Sequence, residues 1–222
     1  MAPRKYEQRR RAEAAGETRR RILDAVYDRI GEAPSEPVSI DHIARQACVA
    51  RPTVYLVFGS RAGLFDAVGA DLLDRGGFAR VLESAYASDA RDSLRRGIRG
   101  VVEMYAAHRD VLRVLTSMAL LDAAAVGGAV QRMEEGRSCG MTGLAQRLAD
   151  QGLLLPEVSK GQAADLLWLL TSFDSFDLLY TGKARPADSV ALTLITTAER
   201  TLCRGADGDA PEKNGGTDAA RP

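Results

Sequence analysis

Residues 39–58 constrain this chain more than any other stretch, because they hold two short helices joined by almost no linker. Ser39 is a good N-cap, since its hydroxyl can accept from a free backbone N–H of the first turn. Ile40, Ile43, Ala44 and Ala47 then recur at i, i+3, i+4 and i+7, the stripe of a short amphipathic helix. Ala47-Cys48-Val49 is a tight connection, and Pro52 marks a new helix start, where its missing N–H costs nothing. Val54 and Phe58, four apart, give the second helix an inner face. Helices joined this tightly cross steeply, and small Ala44 permits close approach. The pattern predicts a helix-turn-helix.

The flanking sequence reads as helical throughout. Ile22, Val26 and Ile30 step by four from about Thr18, with Leu23 and Tyr27 widening the stripe, and Gly31 ends that helix. After Gly59-Ser60, Leu64, Val68 and Leu72 carry a further helix to Gly76-Gly77. Beyond it lie a stripe from Leu94 to Tyr105 and a shorter one from Val111 to Leu121. A third, diluted by glycine, runs from Val126 to Leu148. A long apolar segment covers residues 158–180, and Val190, Leu194, Ala198 and Leu202 mark the last helix. No useful run of strand-like alternation occurs. The fold class expected is all-α: an N-terminal three-helix unit containing the helix-turn-helix, followed by a C-terminal helical bundle. The expected segments are a flexible basic arm (1–17), a helix-turn-helix unit (18–75), a helical unit (76–204) and a disordered Gly/Asp/Ala tail (205–222).

Composition narrows the class. Charged residues are 27% of the chain and the formal net charge is +0, so any nucleic-acid footprint must be local. It is local at the N-terminus, where Arg4, Lys5, Arg9, Arg10, Arg11, Arg19, Arg20 and Arg21 face only Glu7, Glu13 and Glu17. Such an arm can be a solvated tail or can lie along phosphates. Cys48, Cys139 and Cys203 are odd in number and far apart, which fits reduced thiols in a cytoplasm. No apolar core of a signal peptide follows the basic start, and no apolar run approaches the ~20 residues of a membrane span. A soluble cytoplasmic protein without membrane contact is expected. His42 and His108 are isolated, and no HExxH, CxxC or glycine-rich phosphate loop is present. No enzyme, metal or cofactor is expected.

Residues 18–72 resemble the DNA-binding region of the tetracycline-repressor (TetR) family. The likeness rests on Val38-Ser39-Ile40-Asp41-His42-Ile43-Ala44, on Val49-Ala50-Arg51-Pro52-Thr53-Val54-Tyr55 and on Phe58-Gly59-Ser60-Arg61-Ala62-Gly63-Leu64. The resemblance implies that Arg51 and Thr53 face base edges in the major groove of double-stranded DNA, with Pro52 among the DNA-binding residues beside them. It implies that Tyr55 and Arg61 hold phosphates and that Ser39 caps the second helix at the DNA backbone. Three positions depart from the family pattern. Val57 stands where a phosphate-donating His is frequent. Cys48 stands where the turn often has Gly, so it must enter the left-handed region or shift the turn. Ala50 replaces a Ser, leaving the recognition helix without a side-chain cap.

For the C-terminal part the resemblance implies a ligand pocket among the middle helices and a homodimer interface on the last two. Met104, Tyr105, Met118, Met133, Trp168 and Phe173 are the candidate pocket residues, suited to a small apolar or amphipathic effector. Residues 166–180 and 190–202 are the candidate dimer helices, and Ala198 and Leu202 lie on the helix that would complete a four-helix interface. Asp174 and Asp177, inside an apolar stretch, could meet a cationic ligand, a partner's arginine or water. The function implied is a repressor released from a palindromic operator by its ligand. The alternatives are a ligand-independent regulator or a thiol-redox one, with Cys139 as the candidate thiol.

Overall fold

In a computed structural model, the structure describes residues 3–34, 36–77 and 89–205. All regular structure among them is helical: α1 (Pro3–Glu32), α2 (Ile40–Gln46), α3 (Arg51–Phe58), α4 (Arg61–Arg75), α5 (Ala90–Ala107), α6 (Arg109–Leu121), a π-helical turn (Ala123–Gly127), α7 (Gly128–Asp150), α8 (Lys160–Leu170), α9 (Phe173–Tyr180) and α10 (Ala187–Leu202). The all-α expectation holds. Residues 206–222, read from sequence as a disordered tail, lie outside the described residues, as do the side chains of Arg4 and Lys5.

The N-terminal unit is built on the stripes read from sequence. Ile22, Val26 and Ile30 of α1 are buried with Ile43 and Ala44 of α2, Val54 and Phe58 of α3, and Leu64, Val68 and Leu72 of α4. α1 packs on all three of these helices. It does not begin near Thr18, however. It is continuous from Pro3, so the segment expected as a flexible arm is the leading half of a single helix of 30 residues. Side chains 6–17 are all exposed. Periodicity is silent there because nothing is buried. Helix propensity carries it instead: Ala12, Ala14 and Ala15 are strong formers, and Arg9 pairs with Glu13 one turn on at 3.0 Å. The packed half of α1 supplies the nucleus from which this half propagates.

The C-terminal helices form a bundle in which α5 packs on α10, α7 on α8, and α4 on α7. The long apolar segment at 158–180 is two helices, not one. Thr171 is the C-cap of α8, and the Ser172 hydroxyl accepts from Ser175 N at 3.1 Å to start α9. The break lets Phe173 and Phe176 turn inward on Tyr105, with ring centroids 5.5 and 5.6 Å away. The Tyr105 hydroxyl donates to the Thr171 carbonyl at 3.1 Å. Ala198 and Leu202 are fully buried within the protomer, where α10 packs on α5. They serve the core and not an outer interface.

Asp177 also finds its partners inside the chain. It is buried and receives hydrogen bonds from Arg109 Nε at 2.8 Å, from Arg113 and from Thr181 Oγ1 at 2.6 Å. Burial alone pushes this carboxyl up, but the hydrogen bonds from Arg109, Thr181 and Arg113 outweigh it and hold it down at about 2. Asp174 is exposed, 3.7 Å from Arg113. The partners of Asp177 are thus the chain's own arginines on α6, in place of a cationic ligand or a partner's arginine, and Asp174 stands largely in water beside one of them.

Candidate nucleic-acid interface and ligand cavity

The α2–α3 turn is a Schellman closure. Val49 N donates to Ala44 O at 2.9 Å and Cys48 N to Arg45 O at 3.1 Å, satisfying carbonyls that the end of α2 would leave bare. The motif needs a left-handed residue after the C-cap, and Cys48 takes that place with φ 53°. A side chain there costs roughly 1–2 kcal/mol relative to glycine. The turn keeps its geometry and bears the strain. Ser39 accepts from His42 N at 3.4 Å as the cap of α2, whereas Ala50 starts α3 with no side-chain cap.

The end of α3 is fixed by two glycines. Gly59 has φ 75°, and Gly63 lies so close beneath α3 that a Cβ there would fall 2.1 Å from the Phe58 carbonyl oxygen. Ser60 caps α4 by accepting from Gly63 N at 2.9 Å. α3 and α4 therefore meet backbone to backbone, and the angle of the recognition helix depends on a missing methyl group. Gly63→Ala is expected to lower stability by about 1–3 kcal/mol through overpacking against rigid backbone. It should also weaken DNA binding beyond what the loss of folded protein accounts for. Thermal melts and operator titration of the same preparation check this; an unchanged melting temperature would refute it.

On the outer side of the pair, Arg51, Pro52 and Tyr55 are exposed and Thr53 is half-buried, while Val54 and Phe58 face the core. Arg51 Nη1 lies 3.3 Å from Asp41 of α2, and its guanidinium stands over the Tyr55 ring at 5.8 Å. The candidate base reader, the candidate phosphate donor and an acid not singled out from sequence form one exposed group. Exposed pairs of this kind are weak and exchange readily for a better acceptor. Arg19 of α1 lies over the Phe58 ring at 4.8 Å, which brings the basic helix against the C-terminal end of α3, opposite the end that carries Arg51.

Arg61 has partners within the chain. Its guanidinium pairs with Asp122, reaches the Val38 carbonyl at 3.5 Å and lies over Phe65 at 5.5 Å. Asp122 also caps the π-helical turn by accepting from Ala125 N at 3.3 Å. Arg61 thus ties the start of α4 to the α6–α7 junction, a link across the molecule that no sequence pattern marks.

A cavity of ≈ 90 Å³ lies between α4, α5, α6, α7 and the start of α9. Its lining includes Leu72, Leu73, Val101, Met104, Tyr105, Leu112, Met133 and Phe173, with Arg137 and Glu134 as polar edges. Four of the six residues proposed from sequence meet there. Met118 instead borders a separate open cleft with Arg61, Arg113 and Leu121. Trp168 points outward, its ring 4.9 Å from the Arg137 guanidinium. Sequence reasoning missed Arg137. It is buried, donates to the Trp168 carbonyl and to Thr171 Oγ1 at 3.2 Å, and pairs with Glu134. An arginine between Met133 and Met141 at four-residue steps was the available signal.

Residues 22–68 match the family model described as bacterial regulatory proteins, tetR family. No curated protein matches the chain by sequence. Among solved structures, NalD, the secondary repressor of the MexAB-OprM multidrug efflux pump in Pseudomonas aeruginosa, is similar. It is 23% identical at a TM-score of 0.65, over 86% of this chain and 98% of that one. A TetR transcription regulator from Haloarcula marismortui gives 16% and 0.67, over 84% and 99%. A TetR-like transcriptional regulator from Rhodococcus gives 24% and 0.60, over 82% and 94%. No helix among the described residues is long and apolar enough to cross a membrane. The sequence pattern of the tetR family thus spans the helix-turn-helix at residues 22–68, and the described C-terminal helices share the fold of these solved structures.

Proposed function

We propose that this chain is a TetR-family transcriptional regulator, a homodimeric repressor released from a palindromic operator by a small apolar or amphipathic molecule held between α4 and α7. The observation that carries this reading is the path of α4. Its first residues abut the recognition helix at Gly63, while Leu72 and Leu73 near its other end line the cavity. Between them Asp66 pairs with Arg132 of α7, and Arg61 pairs with Asp122 beside the π-helical turn. A ligand that swells the cavity pushes α4 and α7 apart, and α4 tilts against α3. The two recognition helices of a dimer then no longer span successive major grooves, ~34 Å apart. That NalD is a repressor supports the same direction of control.

Arg51, Pro52 and Thr53 are assigned to base edges, Tyr55 and the N-terminal end of α2 at Ser39 to phosphates. Arg61 reaches a phosphate only by leaving Asp122, so DNA and the α6–α7 junction compete for it. The exposed thiol of Cys139 has no part in this scheme, and a redox response would need a different path to α3.

The test is thermodynamic linkage. Compounds that raise the melting temperature are titrated into the protein with and without saturating operator. Operator must weaken the ligand by the same factor by which the ligand weakens operator, commonly ~5–150-fold. Equal ligand affinity in both states would overturn induction by that ligand.

A further inference from the structure

We propose that Leu56 is a specificity residue that reads the C5-methyl group of a thymine in the operator. The inference rests on α3 being the groove-reading helix, the reading given above. Helical geometry puts Leu56 about 200° around α3 from Val54, and burial agrees: Val54 is 1% exposed and Leu56 is 86% exposed. Pro52, one turn earlier, is exposed on the same side. The outward crest of the recognition helix is therefore apolar, with the polar groups of Arg51, Thr53 and Tyr55 on its flanks.

A single exposed leucine is ordinary on a protein surface. Its place here is not ordinary, because the outward face of a recognition helix is the face that enters the major groove. The floor of that groove offers donors and acceptors at every base pair but one apolar group, the thymine methyl. A leucine on the crest facing any other base edge would strip water from a donor or acceptor and return no hydrogen bond. Only an A·T or T·A pair with its methyl under Leu56 avoids that loss. Val57, half-buried at the next position, cannot take the role. Leu56 supports no packing in the free protein, so its replacement leaves the fold intact.

The test begins with an operator selected from random duplex DNA by the full-length protein. Each thymine of that operator is then replaced by uracil, which removes the methyl and nothing else. The expected result is one thymine per half-site at which uracil weakens binding by roughly fourfold, the effect of one buried methyl group, and by about tenfold or more when both half-sites are changed. Leu56→Ala is expected to bind the parent operator about tenfold more weakly and to treat thymine and uracil alike. Wild-type protein indifferent to every uracil, or a Leu56→Ala protein that keeps the discrimination, would overturn the assignment. Loss of preference at several positions at once, with weakened binding to all sequences, would instead mark a defect in docking of the whole helix and also count against it. Selection that returned no consensus at all would strike the underlying reading of α3 as the base reader.

Discussion

Deleting residues 1–16 is expected to lower operator affinity at least tenfold at moderate salt and to flatten its salt dependence, while leaving the melting temperature unchanged. The deleted residues include Arg4, Lys5, Arg9, Arg10 and Arg11. From Tyr6 onward their side chains are exposed, so folding does not depend on them. The helical form of this segment sharpens the expectation. A flexible arm must lose backbone freedom on every phosphate it meets, roughly 1–2 kcal/mol per residue fixed. A preformed helix loses little. Three phosphate contacts per protomer would change the slope of log K against log salt by about 5 in a dimer, at roughly 0.9 per contact. Titration of wild-type and truncated protein over a salt series decides it. Parallel lines would show that the basic half of α1 is a solvated rod.

The double substitution Leu178→Glu and Leu192→Glu is expected to give a monomer that binds operator about a hundredfold or more weakly, because linking two half-site contacts multiplies affinity by that order. Both leucines are large and open, 68% and 65% exposed, on α9 and α10. Trp168 and Leu169 of α8 are exposed as well. Within the protomer these helices already fill their core through Leu167, Phe176, Leu194 and Leu202. The outer leucines are therefore surplus to folding, and each would contribute ~1.5–3 kcal/mol if covered by a twin. The variant should keep its helical circular dichroism and its melting behaviour in the monomer. Light scattering and operator titration read the two effects separately. A dimer that survived the double substitution would place the interface elsewhere, while a wild-type monomer at micromolar concentration would remove it altogether.

Both predictions draw on features that differ in how plainly the sequence shows them. The helix-turn-helix was legible because each of its parts is local. A serine cap, a four-residue apolar step, a proline start and a glycine stop act within one or two turns, and their spacing survives in the linear text. Even the left-handed Cys48 was foreseeable, since the turn is too short to take another shape at low cost. The two aspartates on α9 and the arginine of α7 were legible only as anomalies. An ionisable group in an apolar stripe must have a partner, but Arg109 and Arg113 lie more than sixty residues from Asp177, and no spacing rule spans that distance.

Sequence by itself determined the helical class, the positions of most helices after the first and the identity of the DNA-reading unit. Those follow from burial with a period of 3.6 residues and from capping chemistry, both short-ranged. Tertiary structure alone decided three matters. It extended α1 back to Pro3, where propensity without burial leaves no stripe to read. It broke residues 158–180 at Thr171–Ser172, so that Phe173 and Phe176 could meet Tyr105 and Trp168 could turn outward. It also assigned Arg61 to Asp122. Each of these depends on which surfaces face one another once the helices have packed, and that choice is made by the whole core and not by any single segment.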